Sequence, residues 1–309
     1  MIEMIELGAA QAERDAAVAI GVFDGVHLGH RRVIGRTLIS ATRRGLVPTV
    51  ITFDPHPIEV LAPGLAPRLL TTLEERVDLL ANIGVRRVGV LDLNEIRTLS
   101  PEGFVSEILL SQVGSRHVAV GPDFRFGHDR TGDVELLAAI GSARGFTVES
   151  VALLTDDRGV VSSTRIREMV ENGEVEAASR LLGSPFVMSG EVIRGDRRGR
   201  QIGFPTANLV PDPRKAQPRD GVYSGYGLVG DGSRYRAAIN IGIRPTFLDG
   251  GVRLVEAYLL DFDGDIYGEH LIVELVDRLR DEEKFPTVDG LVNQIEKDVA
   301  QAARLPIAD

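Results

Sequence analysis

The stretch "AAVAIGVFDGVHLGH" at residues 16–30 joins a run of apolar residues to a turn rich in glycine and histidine. The run "AAVAIG" predicts a buried strand, and the residues after it predict a sharp turn into a helix that starts near Leu28 or Gly29. A helix start offers unpaired N–H groups and the positive end of the helix dipole, so it suits a phosphate group. His27 and His30 are three residues apart, so we expect both imidazoles on one side of the helix.

The rest of the first half continues this strand and helix alternation. Short β-branched runs alternate with amphipathic segments from residue 16 to about 152, which predicts an α/β fold with a doubly wound parallel sheet. The predicted strands are 16–21, 47–53, 86–91, 116–121 and 146–151. Two of the predicted helices are "TTLEERVDLLANIG" (71–84) and "SPEGFVSEILLSQVG" (100–114), the second with Ser100 as its N-cap.

The pattern changes at "SPF" (184–186), after which alternating strands and glycine-rich turns predict a small antiparallel β-barrel. The predicted strands are 186–193, 221–229, 235–242, 253–260 and 271–279. A terminal helix in 285–305 is predicted to pack on the barrel through an apolar stripe that starts at Val288 and includes Leu291 and Ile295. We therefore predict two domains, 1–184 and 185–309.

Composition restricts the chemistry. The 309 residues include no cysteine, which excludes disulfides, thiolate metal sites and cysteine nucleophiles. A net charge of −10 argues against an extended nucleic-acid surface, because such surfaces need clustered Lys and Arg. No apolar run is long enough to cross a bilayer, and the acidic N-terminus does not resemble a secretory signal, so we expect a cytoplasmic protein without a membrane partner.

The histidine pair has two other interpretations besides phosphate binding. A histidine at a helix start can simply cap the helix. A pair at this spacing can also hold Zn²⁺ if Asp24, Asp54 or His56 supplies a third ligand. Phosphate binding is the interpretation we favour.

The segment "GVFDGVHLGH" (21–30) resembles the signature of the HxGH nucleotidyltransferases, whose histidines contact ATP phosphates during adenylyl transfer. The later "SSTRIRE" (162–168) is similar to their second signature, which approaches the β- and γ-phosphates at another helix start. The resemblance implies that the catalytic groups are His27, His30 and Arg167, which together can supply hydrogen bonds and charge. The nucleotide-binding residues that it implies are Gly21, Phe23, Gly29, Asp123, Ser163 and Thr164.

Two further segments follow predicted strands, "TFDPHPIEVL" (52–61) and "GPDFRFGHDRTGD" (121–133). Ligands of open α/β sheets bind beyond the carboxyl ends of the strands. Taken alone, the first segment is a stiff turn and the second a solvated loop. Both resemble the FAD synthetase module of prokaryotic bifunctional riboflavin kinase/FAD synthetases, and that resemblance implies flavin contacts from His56, Pro57 and Phe124.

The segment "SGEVIRGDRRGRQIGFPTANL" (189–209) carries glycines among basic residues. The sequence has neither a P-loop nor the protein-kinase motifs, so kinase chemistry here would need another phosphate cradle. Glycine-rich backbone can offer amides to a pyrophosphate, and the Thr206 hydroxyl and Asn208 carbonyl are hard oxygen ligands suited to Mg²⁺. Most glycine-rich turns are only turns, but the combination with "PTAN" is specific.

This segment resembles the riboflavin kinase module, and the match continues through 237–247, 255–268 and 279–285. The resemblance implies that Thr206 and Asn208 hold magnesium and that Glu256 is the catalytic base. It also implies nucleotide contacts at Gly195 and Gly203 and a flavin contact from Arg280. The usual fate of a strand glutamate is to face solvent, but the alternation of "RLVEAYLL" lets Glu256 point into the barrel mouth.

Together these resemblances place the chain with the bifunctional riboflavin kinase/FAD synthetase (FMN adenylyltransferase) family. The family implies phosphorylation of riboflavin to FMN, then adenylyl transfer from ATP to FMN, giving FAD and pyrophosphate. It implies ATP and Mg²⁺ as requirements and small molecules as the partners, and it leaves weak self-association open. Two alternatives are adenylylation of another acceptor, such as a pantetheine or nicotinate nucleotide, and a flavin-binding regulator that has lost catalysis.

Overall fold

The computed structural model describes residues 2–5, 15–195, 198–244 and 252–307. The chain divides into two compact units, Met1–Ser163 and Thr164–Asp309.

The first unit is built on a parallel sheet, in which six strands are described and every pairing is parallel. The strands are β1 (Glu3–Ile5), β2 (Ala16–Ile20), β3 (Val47–Phe53), β4 (Arg87–Leu91), β5 (Ser115–Val120) and β6 (Thr147–Ser150). Their order across the sheet is β1-β4-β3-β2-β5-β6. A two-stranded hairpin of β7 (Thr155–Asp156) and β8 (Gly159–Val160) follows. The predicted doubly wound sheet is confirmed.

Helices pack on this sheet and are capped as their sequences predict. They are α1 (Leu28–Arg44), α2 (Pro57–Leu61), α3 (Leu73–Asn82), α4 (Leu93–Ile96), α5 (Pro101–Gly103), which continues as a π-helix over Phe104–Gln112, and α6 (Val134–Arg144). Short 3-10 turns cover Pro63–Leu65 and His128–Arg130. Thr72 and Glu75 form a capping box at the start of α3, and the Ser100 side chain accepts a hydrogen bond from Gly103 N. Apolar clusters cover both faces of the sheet, so β2 is buried along its whole length.

The second unit is a closed antiparallel barrel, and six strands of it lie in the described part of the chain. Its elements are β9 (Phe186–Ile193), β10 (Ala207–Leu209), β11 (Gly221–Leu228), β12 (Arg234–Arg244), β13 (Val252–Leu259) and β14 (His270–Arg280), with helices α8 (Val175–Leu182), α9 (Arg198–Gln201) and α10 (Val288–Ala302). Helix α7 (Ser163–Glu171) begins at the last residue of the first unit. The strand order is β10-β13-β12-β11-β14-β9, closed by pairing of β9 with β10. The predicted barrel is confirmed.

Helix α10 packs on the barrel, but not through the whole predicted stripe. Leu291 and Ile295 line the interior of the barrel unit, as expected. Val288 is 61% exposed, so its assignment to the packed stripe is wrong. Asp298, a charged residue, is instead only 3% exposed on this helix.

Candidate active sites

The strand order of the first unit predicts a ligand crevice at one edge of the sheet, where the carboxyl ends of the strands lie. The chain runs from β2 through β3 to β4 on one side and places β5 and β6 on the other side, so the order reverses between β2 and β5. Ligands of open α/β sheets bind at such a switch point, outside the carboxyl ends of the strands. The turn from Gly21 to His30 leaves β2 at this edge, and the segment with Asp123 and Phe124 leaves β5 there.

His27 caps helix α1. Its Nδ1 accepts a hydrogen bond from the backbone N of His30 at 3.3 Å. A neutral imidazole that accepts at Nδ1 carries its proton on Nε2, so the other edge of the ring is a hydrogen-bond donor. The capping interpretation of His27 is therefore correct, and it leaves the ring able to bind a ligand as well.

The two imidazoles lie face to face, on one side of the helix start as predicted. Their ring centroids are 3.6 Å apart and the planes differ by 19°. The ring of Phe23 meets His30 edge-on, with centroids 5.3 Å apart. At Gly29, an added Cβ would lie 3.0 Å from His27 Cε1 and 3.2 Å from the carbonyl oxygen of Val161. Glycine at this position therefore lets the His27 ring take its place in the stack.

Burial disfavours a positive charge on these histidines. Desolvation lowers the pKa of His27 from 6.5 to about 4, and Asp24 offsets part of that effect. Burial lowers the pKa of His30 well below 6.5, and the charges of His27 and Arg76 act in the same direction. These shifts favour the neutral form of both rings at pH 7, in which they can donate hydrogen bonds to a phosphate; the charge that we expected from them stays a prediction.

The geometry does not favour the zinc interpretation. Parallel stacked rings do not direct their nitrogens at one point between them. The Asp24 carboxylate accepts hydrogen bonds from Leu70 N and Thr71 N, and His56 Nδ1 accepts one from Ile58 N at 3.2 Å, where it caps α2. Within the described ranges there is no group of three or more His, Cys, Asp or Glu that could hold a metal.

The second predicted signature starts at the same turn. The Ser163 hydroxyl donates a hydrogen bond to the carbonyl oxygen of Asp24 at 2.9 Å. Thr164 and Arg167 fall in the second compact unit, where Thr164 is exposed and Arg167 is buried. Their contacts with ATP phosphates stay predictions.

The residues predicted to contact flavin in the first unit lie after β3 and β5. His56 is buried and Pro57 is the first residue of α2. Phe124 stacks on Phe126 at a centroid distance of 5.6 Å and packs against the sheet core, while Asp123 is exposed. Phe124 thus has the packing role that is usual for phenylalanine, and its flavin contact stays a prediction.

The second unit contains a cavity of about 680 Å³, a size typical of small-ligand sites. Five of the predicted residues line it, namely Gly195, Thr206, Asn208, Glu256 and Arg280. Gly203 lies between two other lining residues, Ile202 and Phe204. Residues 196–197 and 245–247 of the predicted motifs lie outside the described residues.

Glu256 lies in a polar row that crosses three strands. On one side its cross-strand partner is Asn208 of β10, and on the other side it is Asn240 of β12. Directly opposed residues of antiparallel strands project to the same face, and all three side chains line the cavity. Glu256 therefore faces the cavity as predicted. Asn240 was not predicted, because its place in the row depends on the pairing register of β12 and β13.

The environment of Asn208 fits a magnesium ligand. Its Nδ2 donates to the carbonyl oxygen of Thr206 at 3.1 Å, and its buried Oδ1 has no hydrogen-bond partner among the described residues. A Cβ added at Gly195 would lie 2.8 Å from Asn208 Nδ2, so the backbone of residue 195 passes directly over this side chain. Thr206 lines the same cavity, and a hydroxyl and an amide carbonyl are oxygen ligands of the kind that Mg²⁺ prefers.

Arg280 is held by a buried carboxylate that the sequence analysis missed. Its Nη2 donates to Asp298 Oδ2 at 2.8 Å and its Nε lies 3.1 Å from both carboxylate oxygens. Gln294 Nε2 donates to Asp298 Oδ1 at 3.0 Å, so the carboxylate is fixed from two sides. Asp298 also lines the cavity. It therefore orients the guanidinium of Arg280 at the cavity wall.

Two family models match the chain. The model for FAD synthetase matches residues 9–165, and the model for riboflavin kinase matches residues 182–305. A relative from Pseudomonas fluorescens is 39% identical over 296 residues, covering 94% of this chain and 93% of the relative. A relative from Bacillus subtilis is 36% identical over 299 residues, covering 95% and 93%. Both are described as bifunctional riboflavin kinase/FMN adenylyltransferase.

A crystal structure of a Streptococcus pneumoniae protein shares the fold, with a TM-score of 0.89 and 33% identity over 99% of this chain and all of the other. That protein is described as a macrolide-efflux protein. Across the described residues of the present chain, every helix is too short or too polar to span a bilayer.

Proposed function

The chain belongs to the family of bifunctional riboflavin kinase/FMN adenylyltransferases, and on that premise we propose how its two sites perform the two reactions. The protein phosphorylates riboflavin with ATP to give FMN and ADP. It then transfers the adenylyl group of a second ATP to FMN, giving FAD and pyrophosphate. We assign residues 1–184 to adenylyl transfer and 185–309 to the kinase, which is consistent with family matches at 9–165 and 182–305.

In the kinase reaction, the hydroxyl at the end of the ribityl chain attacks the γ-phosphorus of ATP and ADP leaves. A hydroxyl is a weak nucleophile at neutral pH, so a carboxylate that accepts its proton helps the attack. Glu256 is the group for this task, because it faces the cavity between two asparagines. Arg280, fixed by Asp298, helps to orient the flavin at the cavity wall.

Thr206 and Asn208 are the residues that would hold Mg²⁺, as the carbonyl oxygen of Asn208 supports, which is buried and has no hydrogen-bond partner within the described ranges. When bound, the ion neutralises charge on the phosphates of ATP. Gly195 lines the cavity beside Asn208, and Gly203 lies between the lining residues Ile202 and Phe204. We propose that backbone N–H groups at these glycines contact the nucleotide.

In the adenylyl transfer, a phosphate oxygen of FMN attacks the α-phosphorus of ATP and pyrophosphate leaves. The nucleophile is already an anion, so this step needs positioning and no general base. His27 and His30 act as neutral hydrogen-bond donors, and the start of α1 adds backbone N–H groups and the dipole of a 17-residue helix. Arg167 is the group that we expect to supply formal positive charge, with Ser163 and Thr164 on the β- and γ-phosphates.

The observation that carries the assignment is the presence of two separate sites in one chain: a buried imidazole stack at a sheet switch point, and a barrel cavity lined by Glu256 and Asn208. Incubation with riboflavin, ATP and Mg²⁺, followed by chromatography, should show FMN first and FAD later. His27→Ala with His30→Ala should stop the sequence at FMN. Glu256→Gln should lower riboflavin phosphorylation about 10³-fold and leave the conversion of supplied FMN unchanged.

The same assay separates the alternatives. Tight FMN binding without turnover would instead support a regulator. Pyrophosphate release with a pantetheine or nicotinate nucleotide, and none with FMN, would support a different acceptor. We further propose that the protein acts in the cytoplasm without nucleic-acid partners. Sedimentation at several protein concentrations would test for weak self-association.

A further inference from the structure

Arg76 is a buried cation in the first unit that the mechanism above does not use. It lies in α3 and is only 1% exposed, so it cannot touch a substrate bound in the crevice. Burying a guanidinium costs free energy unless polar groups compensate for its lost hydration. The groups that accept hydrogen bonds from Arg76 show which segments of the chain it connects.

The guanidinium connects the segments that surround the histidine turn. Nη1 donates to Thr52 Oγ1 and to the carbonyl oxygen of Phe53, both at 3.0 Å, at the carboxyl end of β3. Nη2 donates to the carbonyl oxygen of Thr71 at 3.5 Å. A single planar fork therefore fixes β3 and the segment before α3 relative to each other.

Both of these segments form hydrogen bonds with the turn that carries His27 and His30. Thr52 Oγ1 donates to the carbonyl oxygen of Val22 at 2.8 Å. Thr71 donates through its backbone N to Asp24 Oδ1 at 3.0 Å, and its hydroxyl accepts from Gly25 N at 3.0 Å. Residues 22, 24 and 25 are thus held by groups that Arg76 itself holds.

The charge of Arg76 also reaches the histidines. Asp24 and Asp54 are the carboxylates that stabilise the guanidinium electrostatically, and Arg76 in turn lowers the pKa of His30. Desolvation is the largest cause of the low pKa of His30, and the charges of His27 and Arg76 act in the same direction. Arg76 therefore adds to an effect that burial dominates.

We propose that Arg76 is a positioning residue for adenylyl transfer, which fixes the turn that carries His27 and His30 from the side away from the crevice. The inference rests on the proposed role of His27 and His30 as phosphate ligands. Arginine suits the task better than lysine, because its rigid fork reaches three acceptors at once and stays protonated in a buried site.

The test compares Arg76→Met and Arg76→Lys with the same substitutions at Arg87. Arg87 is also 1% exposed, but it is the first residue of β4, at the amino edge of the sheet and away from the crevice. The rate of FAD formation from supplied FMN is measured together with riboflavin phosphorylation in the same preparation. The kinase rate then serves as an internal control for the second unit.

For Arg76→Met we expect kcat of adenylyl transfer to fall about 100-fold, the size of effect that a displacement of 1 Å at a positioned group produces. The KM for ATP should change far less, and Arg87→Met should keep kcat within about threefold of the wild type. NMR titration of the histidine rings should show a higher pKa for His30 in Arg76→Met, because a nearby positive charge has been removed.

An unchanged kcat in Arg76→Met overturns the proposal whatever the titration of His30, and so does an equal loss of kcat in Arg87→Met. Should Arg76→Met fail to fold, Arg76→Lys decides: a wild-type kcat overturns the proposal, and a loss several times that of Arg87→Lys supports it. The double variant His27→Ala with His30→Ala keeps the two claims apart. If it retains adenylyl transfer, the histidine site itself is wrong; if only the Arg76 variants retain it, the positioning role alone is wrong.

Discussion

The two sites of this chain are assembled in opposite ways. The histidine site comes from one continuous stretch, because strand β2, its turn and the first turn of α1 all lie within residues 16–30. The kinase cavity draws Asn208, Asn240, Glu256, Arg280 and Asp298 from four strands or their flanks and the terminal helix. Transfer to an anionic nucleophile needs a rigid set of donors, which a tight turn supplies. A hydroxyl nucleophile needs a base, a metal site and a flavin site together, and that set needs several strands.

The comparison predicts that the histidine site fails when its local packing changes, even without loss of a polar group. In Gly29→Ala, the new Cβ would lie 3.0 Å from His27 and 3.2 Å from the carbonyl oxygen of Val161, so the ring stack must shift. We expect FAD formation from FMN to fall about 100-fold, while riboflavin phosphorylation stays unchanged.

Gly35→Ala on the same helix is the matched control, because a Cβ at that position meets no atom within 4 Å. Alanine there should stabilise the helix by up to about 1 kcal/mol and leave both activities unchanged. Equal rates of FAD formation in the two variants would contradict the claim that the histidine site requires glycine at position 29 for packing.

A second prediction uses pH to test whether the histidine site is neutral. The pKa of His27 is about 4 in the folded protein against 6.5 as its ordinary value. The unfolded chain therefore binds the proton first as pH falls, and stability is present above pH 6.5 and is lost as pH drops toward 4. Urea unfolding of the first unit should show a loss of about 2 kcal/mol from this group between pH 7 and pH 5.

The His27→Gln variant should lack that part of the pH dependence. His128, which is exposed, provides the comparison: His128→Gln should keep the dependence of the wild type. A wild-type slope in His27→Gln would contradict the neutral, buried state of this ring.

The smallest expected effect concerns the kinase cavity. Its residues come from several strands and a helix, so a substitution should be able to weaken flavin binding without removing the base or the metal site. Asp298→Asn removes the charge that orients Arg280. We expect the KM for riboflavin to rise about tenfold, as for the loss of one charge-assisted hydrogen bond, with kcat reduced far less. Glu296→Gln, at an exposed position of the same helix, should leave both constants unchanged. A fall in kcat without a change in KM would place Asp298 in catalysis rather than in flavin orientation.

The sequence predicted the elements that carry strong periodic patterns. Strand β3 was predicted with its observed bounds and β9 likewise, because apolar alternation and turn residues mark both ends. Strands β1 and β10 have three residues each, too few to show a period, and they were missed. The segment after Gly103 was predicted as a helix but not as a π-helix. The spacing of apolar residues does not distinguish the hydrogen-bond pattern of a π-helix from that of an α-helix.

The candidate sites were predictable where the residues are close in sequence and not where they depend on tertiary contacts. The proximity of His27 and His30 follows from their spacing. Their neutrality does not, because it depends on burial and on Arg76, which lies 46 residues after His30. Asn240 and Asp298 could not be found because a strand register and a helix-to-strand ion pair are invisible in a linear pattern.

The register of β13 has a practical consequence for studies of refolding. Side chains alternate between the two faces of a strand, so a slip of one residue against β12 would turn Glu256 to the outer surface and bring its neighbours inward. Only a chain with the native alignment can then phosphorylate riboflavin. The rate at which FMN appears after dilution from denaturant therefore reports on barrel closure, and it can be followed by chromatographic separation of FMN from riboflavin.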